Sequence, residues 1–125
     1  THQMPLYPGS GAENETGAGN IVNVPLREDD GGDAFRAAFT ARVLPALQSF
    51  RPDLVIVSAG FDAHHRDPLG SLLLTEADFD WATAKLMEAA ERDCRGRLVS
   101  ILEGGYDLKG LETSVAAHVK RLMTG

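Results

Sequence analysis

A chain of 125 residues with 43% apolar content has the length of one domain and enough apolar surface to bury a core. Its net charge of −6, from 12 Lys and Arg against 18 Asp and Glu, argues against broad binding to a nucleic-acid backbone, which needs clustered cations. No apolar run approaches the ~20 residues of a membrane span, no basic and then apolar leader is seen, and the single cysteine, Cys94, rules out an internal disulfide and suits a reducing cytoplasm.

Residues 1–19 read as loop, because "YPGSGAENETGAGN" is rich in Gly, Asn and Glu and has no periodicity. "IVNVPL", Ile21 to Leu26, is a β-branched run ended by proline and reads as a short strand. After the turn "REDDGGD", Asp33 is placed to cap a helix running to about Phe50, with Ala34, Phe35, Ala38, Phe39, Val43, Leu44 and Leu47 at helical spacing and Pro45 as an expected kink. "RPDLVIVSAG" is the strongest strand. Its unbroken apolar run, Leu54 to Val57, predicts burial on both faces, as in a parallel sheet. Thr75 with Asp78 has the spacing of a capping box and opens a helix to about Asp93. Cys94 then falls at a helix terminus. "RLVSILEGGY" is another strand ending in glycines. The last helix runs from Leu108 to Met123, with Leu111, Val115, Val119 and Leu122 along one side and His118 within it as a structural or exposed residue. Strands alternating with helices imply an α/β fold, a parallel sheet with right-handed crossovers and helices as covering layers, here with about three strands and three helices.

Open parallel sheets bind ligands outside the carboxyl ends of their strands. Two polar loops follow strands here, "GFDAHHRDPLG" and "EGGYD". One crossover puts both strand ends on the same sheet edge, so Asp62 and Tyr106 are expected to face one pocket. A carboxylate at a rigid strand end suits a metal ion, and equally suits a turn or helix cap. The Tyr106 phenol can donate a hydrogen bond to a developing oxyanion, or it can be a core tyrosine. His64 and His65 are adjacent, closer than the usual spacing of zinc ligands, and a solvated or supporting role is the expectation for both. Asp67 precedes Pro68 and is first a turn signal. Neither a phosphate-binding Gly-x-Gly-x-x-Gly loop nor a Gly-x-Ser-x-Gly elbow is found.

The motifs "YPGSG", "VNVPL", "SAGFDAHHRDPLG" and "LEGGYDL", in this order over the whole chain, resemble the histone deacetylase superfamily. The likeness is greatest to the bacterial acetoin-utilisation and acetylpolyamine-deacetylase type and to the class II deacetylases. The resemblance implies a three-layer arginase/deacetylase-like fold and removal of acetyl groups from acetyl-lysine or acetylated polyamines. It implies zinc, or iron(II) in its place, with Asp62 as the third protein ligand, and Tyr106 as the residue that stabilises the tetrahedral intermediate. It further implies that Gly104 and Gly105 line the acyl end of the pocket, that Leu69 and Tyr7 are walls of the substrate channel, and that Thr1 lies where relatives bind a structural monovalent cation.

The family's other two metal ligands and its histidine pair belong upstream of Thr1. The chain therefore reads as the C-terminal portion, residues 1–125, of a larger catalytic domain, inactive and poorly metal-loaded alone. An unpaired sheet edge in such a portion favours self-association, so a homo-oligomer is an expectation, and nucleic acid and membrane are not expected partners. Two other readings stay open: a non-catalytic α/β domain that binds a ligand or partner, and a metal-binding module built from Asp62, His64, His65 and Asp67.

Overall fold

The computed structural model describes all 125 residues, Thr1–Gly125. Its central feature is a parallel pair of strands, β3 (Val55–Ala59) and β4 (Leu98–Leu102), paired from Val55 opposite Leu98 to Ala59 opposite Leu102. The pairing continues into the following loops, where Glu103 N–H donates to Ala59 O at 3.1 Å and Phe61 N–H to Gly104 O at 2.9 Å. The two polar loops thus leave the sheet level with each other. The helix between these strands, α3 (Glu76–Cys94), begins where the sequence predicts, with the Asp78 carboxylate accepting from both the N–H and the hydroxyl of Thr75 at 2.9 Å. Arg95 in the left-handed region ends it.

Two short strands, β1 (His2–Gln3) and β2 (Pro25–Leu26), form a separate parallel pair, so the strands make two small sheets and not one three-stranded sheet. Only the last two residues of the expected strand 21–26 are extended in a ladder. Pro25, with no N–H, limits the pairing.

The helix expected from Asp33 to Phe50 is one rod of three parts: α1 (Gly32–Ala38), a π turn (Phe39–Val43) and α2 (Leu44–Phe50). Gly31, not Asp33, is its N-cap, and Asp33 sits in the first turn, where its charge complements the helix dipole. Pro45 lies at the start of α2. The wider π turn before it absorbs the missing donor without ending the rod. Phe35 and Phe39 from this rod meet Trp81 of α3 edge-on, at ring-centroid distances of 6.2 and 5.7 Å, and close a core with Leu26, Leu72 and Leu74. A smaller core joins Val55 to Ala90 and Cys94 beneath β3, and the Cys94 thiol donates to Arg97 O.

The last helix, α4 (Leu108–Thr124), packs along α3. The stripe it buries is Gly110, Ser114 and His118, whereas Val119 from the expected apolar line is 43% exposed. Small residues at a four-residue spacing let the two helices approach closely, and His118 is held between them. Its Nδ1 lies 2.7 Å from Thr83 Oγ1 on α3 and its Nε2 2.8 Å from Ser100 Oγ on β4. Thr83 spends its only proton on Phe79 O at 2.6 Å, so the His118 Nδ1–H must donate to Thr83 and the Nε2 of the neutral ring accept from Ser100. Burial lowers the His118 pKa, which agrees with a neutral ring. Of the two roles expected for His118, the structural one holds.

The expectation that β3 is buried on both faces fails. Val55 and Ala59 are buried, but Ile56 is 64% exposed, and Val99 and Ile101 of β4 are exposed beside it. These side chains share one face of the two-stranded sheet, and no element of the chain covers that face. No helix is long and apolar enough to cross a membrane.

Candidate active site

Asp62 stands two residues beyond Gly60, and its exposed side chain lies beside glycines. A Cβ on Gly104 would lie 2.7 Å from Asp62 Oδ2, and one on Gly60 would lie 2.9 Å from Oδ1. A third glycine, Gly70, approaches the Asp62 carbonyl oxygen so closely that a Cβ there would lie 2.6 Å from it. Neither Gly60 nor Gly104 needs a positive φ, so what these positions require is space beside the carboxylate. Gly105 differs. Its φ of 134° lies in the glycine region, and a Cβ would also meet Leu111 Cδ1 at 2.8 Å.

Asp62, Gly104 and Tyr106 line one cavity of about 770 Å³, together with Tyr7, Leu69 and Thr1. The sequence inference that the two strand-end loops face one pocket therefore holds. Tyr106 is 56% exposed and is not a core tyrosine. Tyr7 and Leu69 are exposed at 94% and 64%. Gly105 is not part of the lining and instead packs its backbone against Leu111 and Phe61.

The two histidines lie outside this cavity. His64 is only 2% exposed, so a solvated role is excluded for it. Its Nδ1 accepts from Arg66 N–H at 3.2 Å, its Nε2 faces the Glu76 carboxylate at 3.4 Å, and the missing side chain of Gly110 makes room for its ring. The N–H at the start of α3 and then His64 lower the Glu76 pKa. The His65 ring packs on His64 with centroids 4.3 Å apart, and its Nδ1 lies 3.3 Å from Leu74 O. These contacts anchor the loop. Asp62, His64, His65 and Asp67 do not converge, and no three His, Cys, Asp or Glu side chains do so anywhere in the chain, so this arrangement gives the self-contained metal module no support. A protein zinc site takes three or four protein ligands. The chain's own residues fit such an ion as one ligand, Asp62, and not as a complete centre.

Asp67 does more than its Asp-Pro turn signal suggests. Only 8% exposed, it accepts from Leu69 N–H at 2.9 Å and Gly70 N–H at 3.3 Å with Oδ1, and from Tyr106 N–H at 2.8 Å with Oδ2. Beside it, Arg66 Nε donates to Asp107 Oδ1 at 3.1 Å, and the same oxygen caps α4 through Gly110 N–H at 2.6 Å. The Gly110 N–H and then the Arg66 guanidinium hold the Asp107 carboxyl below its usual range.

The chain that carries these loops matches a known family. The model of the "Histone deacetylase domain" matches residues 1–122. The chain belongs to the histone deacetylase family. It is 45% identical over 120 residues to "Histone deacetylase 10, chloroplastic" of Oryza sativa subsp. japonica, covering 93% of this chain and 27% of that protein. It is 46% identical over 110 residues to "Histone deacetylase-like amidohydrolase" of Pseudomonas aeruginosa, covering 84% of this chain and 29% of that protein. Among solved structures, the HDA15 HD domain superposes with a TM-score of 0.86 at 41% identity, over 94% of this chain and 34% of that one. The chain thus spans about a third or less of the length of these histone deacetylase relatives, and its α/β architecture is that of part of a deacetylase domain.

Proposed function

We propose that this chain supplies one metal ligand, the oxyanion donor and a channel wall to a metal-dependent deacetylase that acts on acetyl-lysine or acetylated polyamines. The observation that supports this most is the level exit of the two loops from β3 and β4. It brings a carboxylate in a glycine cradle and an exposed tyrosine to one cavity. Asp62 would hold zinc or iron(II) together with ligands from outside this chain. Such a metal, when bound, polarises the acetamide carbonyl and the attacking water. The Tyr106 hydroxyl donates a hydrogen bond to the carbonyl oxygen as it becomes an oxyanion. Gly104, with no side chain, leaves room for the acetyl end, and the part of Gly105 is to let the chain turn there. Leu69 and Tyr7 guide the substrate's alkyl chain. The products are acetate and a free amine. A monovalent cation near Thr1 would support the loop that bears Tyr7.

The uncovered apolar face at Ile56, Val99 and Ile101 supports association, with the rest of a deacetylase domain or with a second copy. The cytoplasm remains the compartment we propose.

The test is turnover of an acetyl-lysine peptide and an acetylated polyamine by the complete metal-loaded protein that carries this chain. Release of acetate from either, lost together with bound metal in Asp62→Ala, is expected. Full metal content and turnover in Asp62→Ala would exclude the proposed role of Asp62.

A further inference from the structure

We propose that Asp67 is a positioning residue that sets Tyr106 against the Asp62 loop, an inference that rests on the deacetylase reading above. An aspartate before proline needs only one carboxylate oxygen to form its turn, and Oδ1 does this with Leu69 and Gly70 N–H. The second oxygen is then free to face water. Instead, Oδ2 takes the backbone N–H of Tyr106, 39 positions further on, in a residue that is 92% buried. Charge-assisted bonds of this kind are among the stronger ones in proteins. The carboxylate thereby ties the channel wall at Leu69, the Gly70 backbone that abuts Asp62, and the backbone of Tyr106 into one unit. Arg66 and Asp107 add a second tie between the adjacent residues of the same two loops.

The geometry makes Asp67→Asn the discriminating variant. An asparagine keeps one carbonyl oxygen and can still close the turn. Its amide NH₂ then faces the Tyr106 N–H, donor against donor. In the complete protein, kcat should fall about 10- to 100-fold, as expected for loss of a hydrogen bond to a charged group, with KM and metal content within about twofold. In a Tyr106→Phe background the same substitution should cost less than about twofold, because a strut for the hydroxyl has nothing left to position. The Tyr106 amide should exchange with solvent at least tenfold faster in Asp67→Asn than in wild type.

Wild-type turnover in Asp67→Asn, a loss confined to KM, loss of metal, or a full multiplicative loss on top of Tyr106→Phe would each overturn the proposal. If the wild-type complete protein releases no acetate, the deacetylase reading fails, and amide exchange still decides whether the strut exists. If Asp67→Asn does not fold, the wild-type protein decides it: a Tyr106 amide that exchanges as freely as an open loop overturns the strut, and one protected at least tenfold supports it.

Discussion

Gly104→Ala probes the cradle around Asp62 with a single added methyl group. At Gly104 the added carbon would lie 2.7 Å from Asp62 Oδ2, 2.8 Å from Cγ and 3.0 Å from Oδ1. Ordinary contact begins at 3.4 Å, so the whole carboxylate, not one oxygen, must retreat by about 0.7 Å. Asp62 is exposed, so the carboxylate can make this shift by turning toward solvent, which takes it out of its place in the cavity. The cost to stability should therefore be small, about 1 kcal/mol or less. The effect on metal should be larger in proportion. Ligand distances in metal sites hold to about ±0.2 Å, so this displacement exceeds what coordination tolerates, and an affinity loss of about 10- to 100-fold is expected, as when a ligand's support is removed. The assay is a chelator-competition titration of zinc on the complete protein, with thermal melts of the apo form alongside. A zinc affinity unchanged in Gly104→Ala would refute the argument that this glycine makes room for the carboxylate.

Gly105→Ala should destabilise the fold by more than ~1 kcal/mol through its φ of 134° and the 2.8 Å approach to Leu111, while leaving zinc affinity near wild type in whatever fraction stays folded. A zinc loss equal to that of Gly104→Ala would show that the two glycines do not act separately. Thr83→Val removes the acceptor for His118 Nδ1–H inside the α3–α4 interface, so unfolding experiments should show a loss of ~1–3 kcal/mol, and a neutral result would contradict the assigned tautomer. The folded His118 pKa lies below the ordinary 6.5 because the ring is buried. The unfolded chain therefore takes up the proton first, so stability is fully present above pH 6.5 and falls as the pH drops through and below it. His118→Gln should flatten the difference in thermal midpoint between pH 7.5 and pH 5.5, and an unchanged pH dependence would contradict this account.

Much of the site was legible because it depends on local signals. A β-branched run followed by glycine marks a strand end, and two such ends separated by one helix must share a sheet edge. The Thr75–Asp78 box fixed the start of α3 for the same reason. What the sequence concealed depends on partners far along the chain. Asp67 reads as a turn former because one of its oxygens is one, and nothing local points the other oxygen at Tyr106. The buried stripe of α4 is Gly110, Ser114 and His118, not the more apolar line beside it, because close helix packing selects for size before hydropathy. His64 is buried because Gly110 has no side chain, a fit between residues 46 positions apart. Burial of β3 on both faces was expected from its composition, but burial requires a covering layer, and this chain supplies one on a single side.

The most direct test of the account is turnover by Tyr106→Phe in the complete protein, compared with wild type at matched metal content. If Tyr106 donates to the oxyanion in the cavity that Asp62 lines, kcat should fall about 10²- to 10³-fold with metal binding intact. A variant that turns over within threefold of wild type would contradict the claim that these two loops form one catalytic centre.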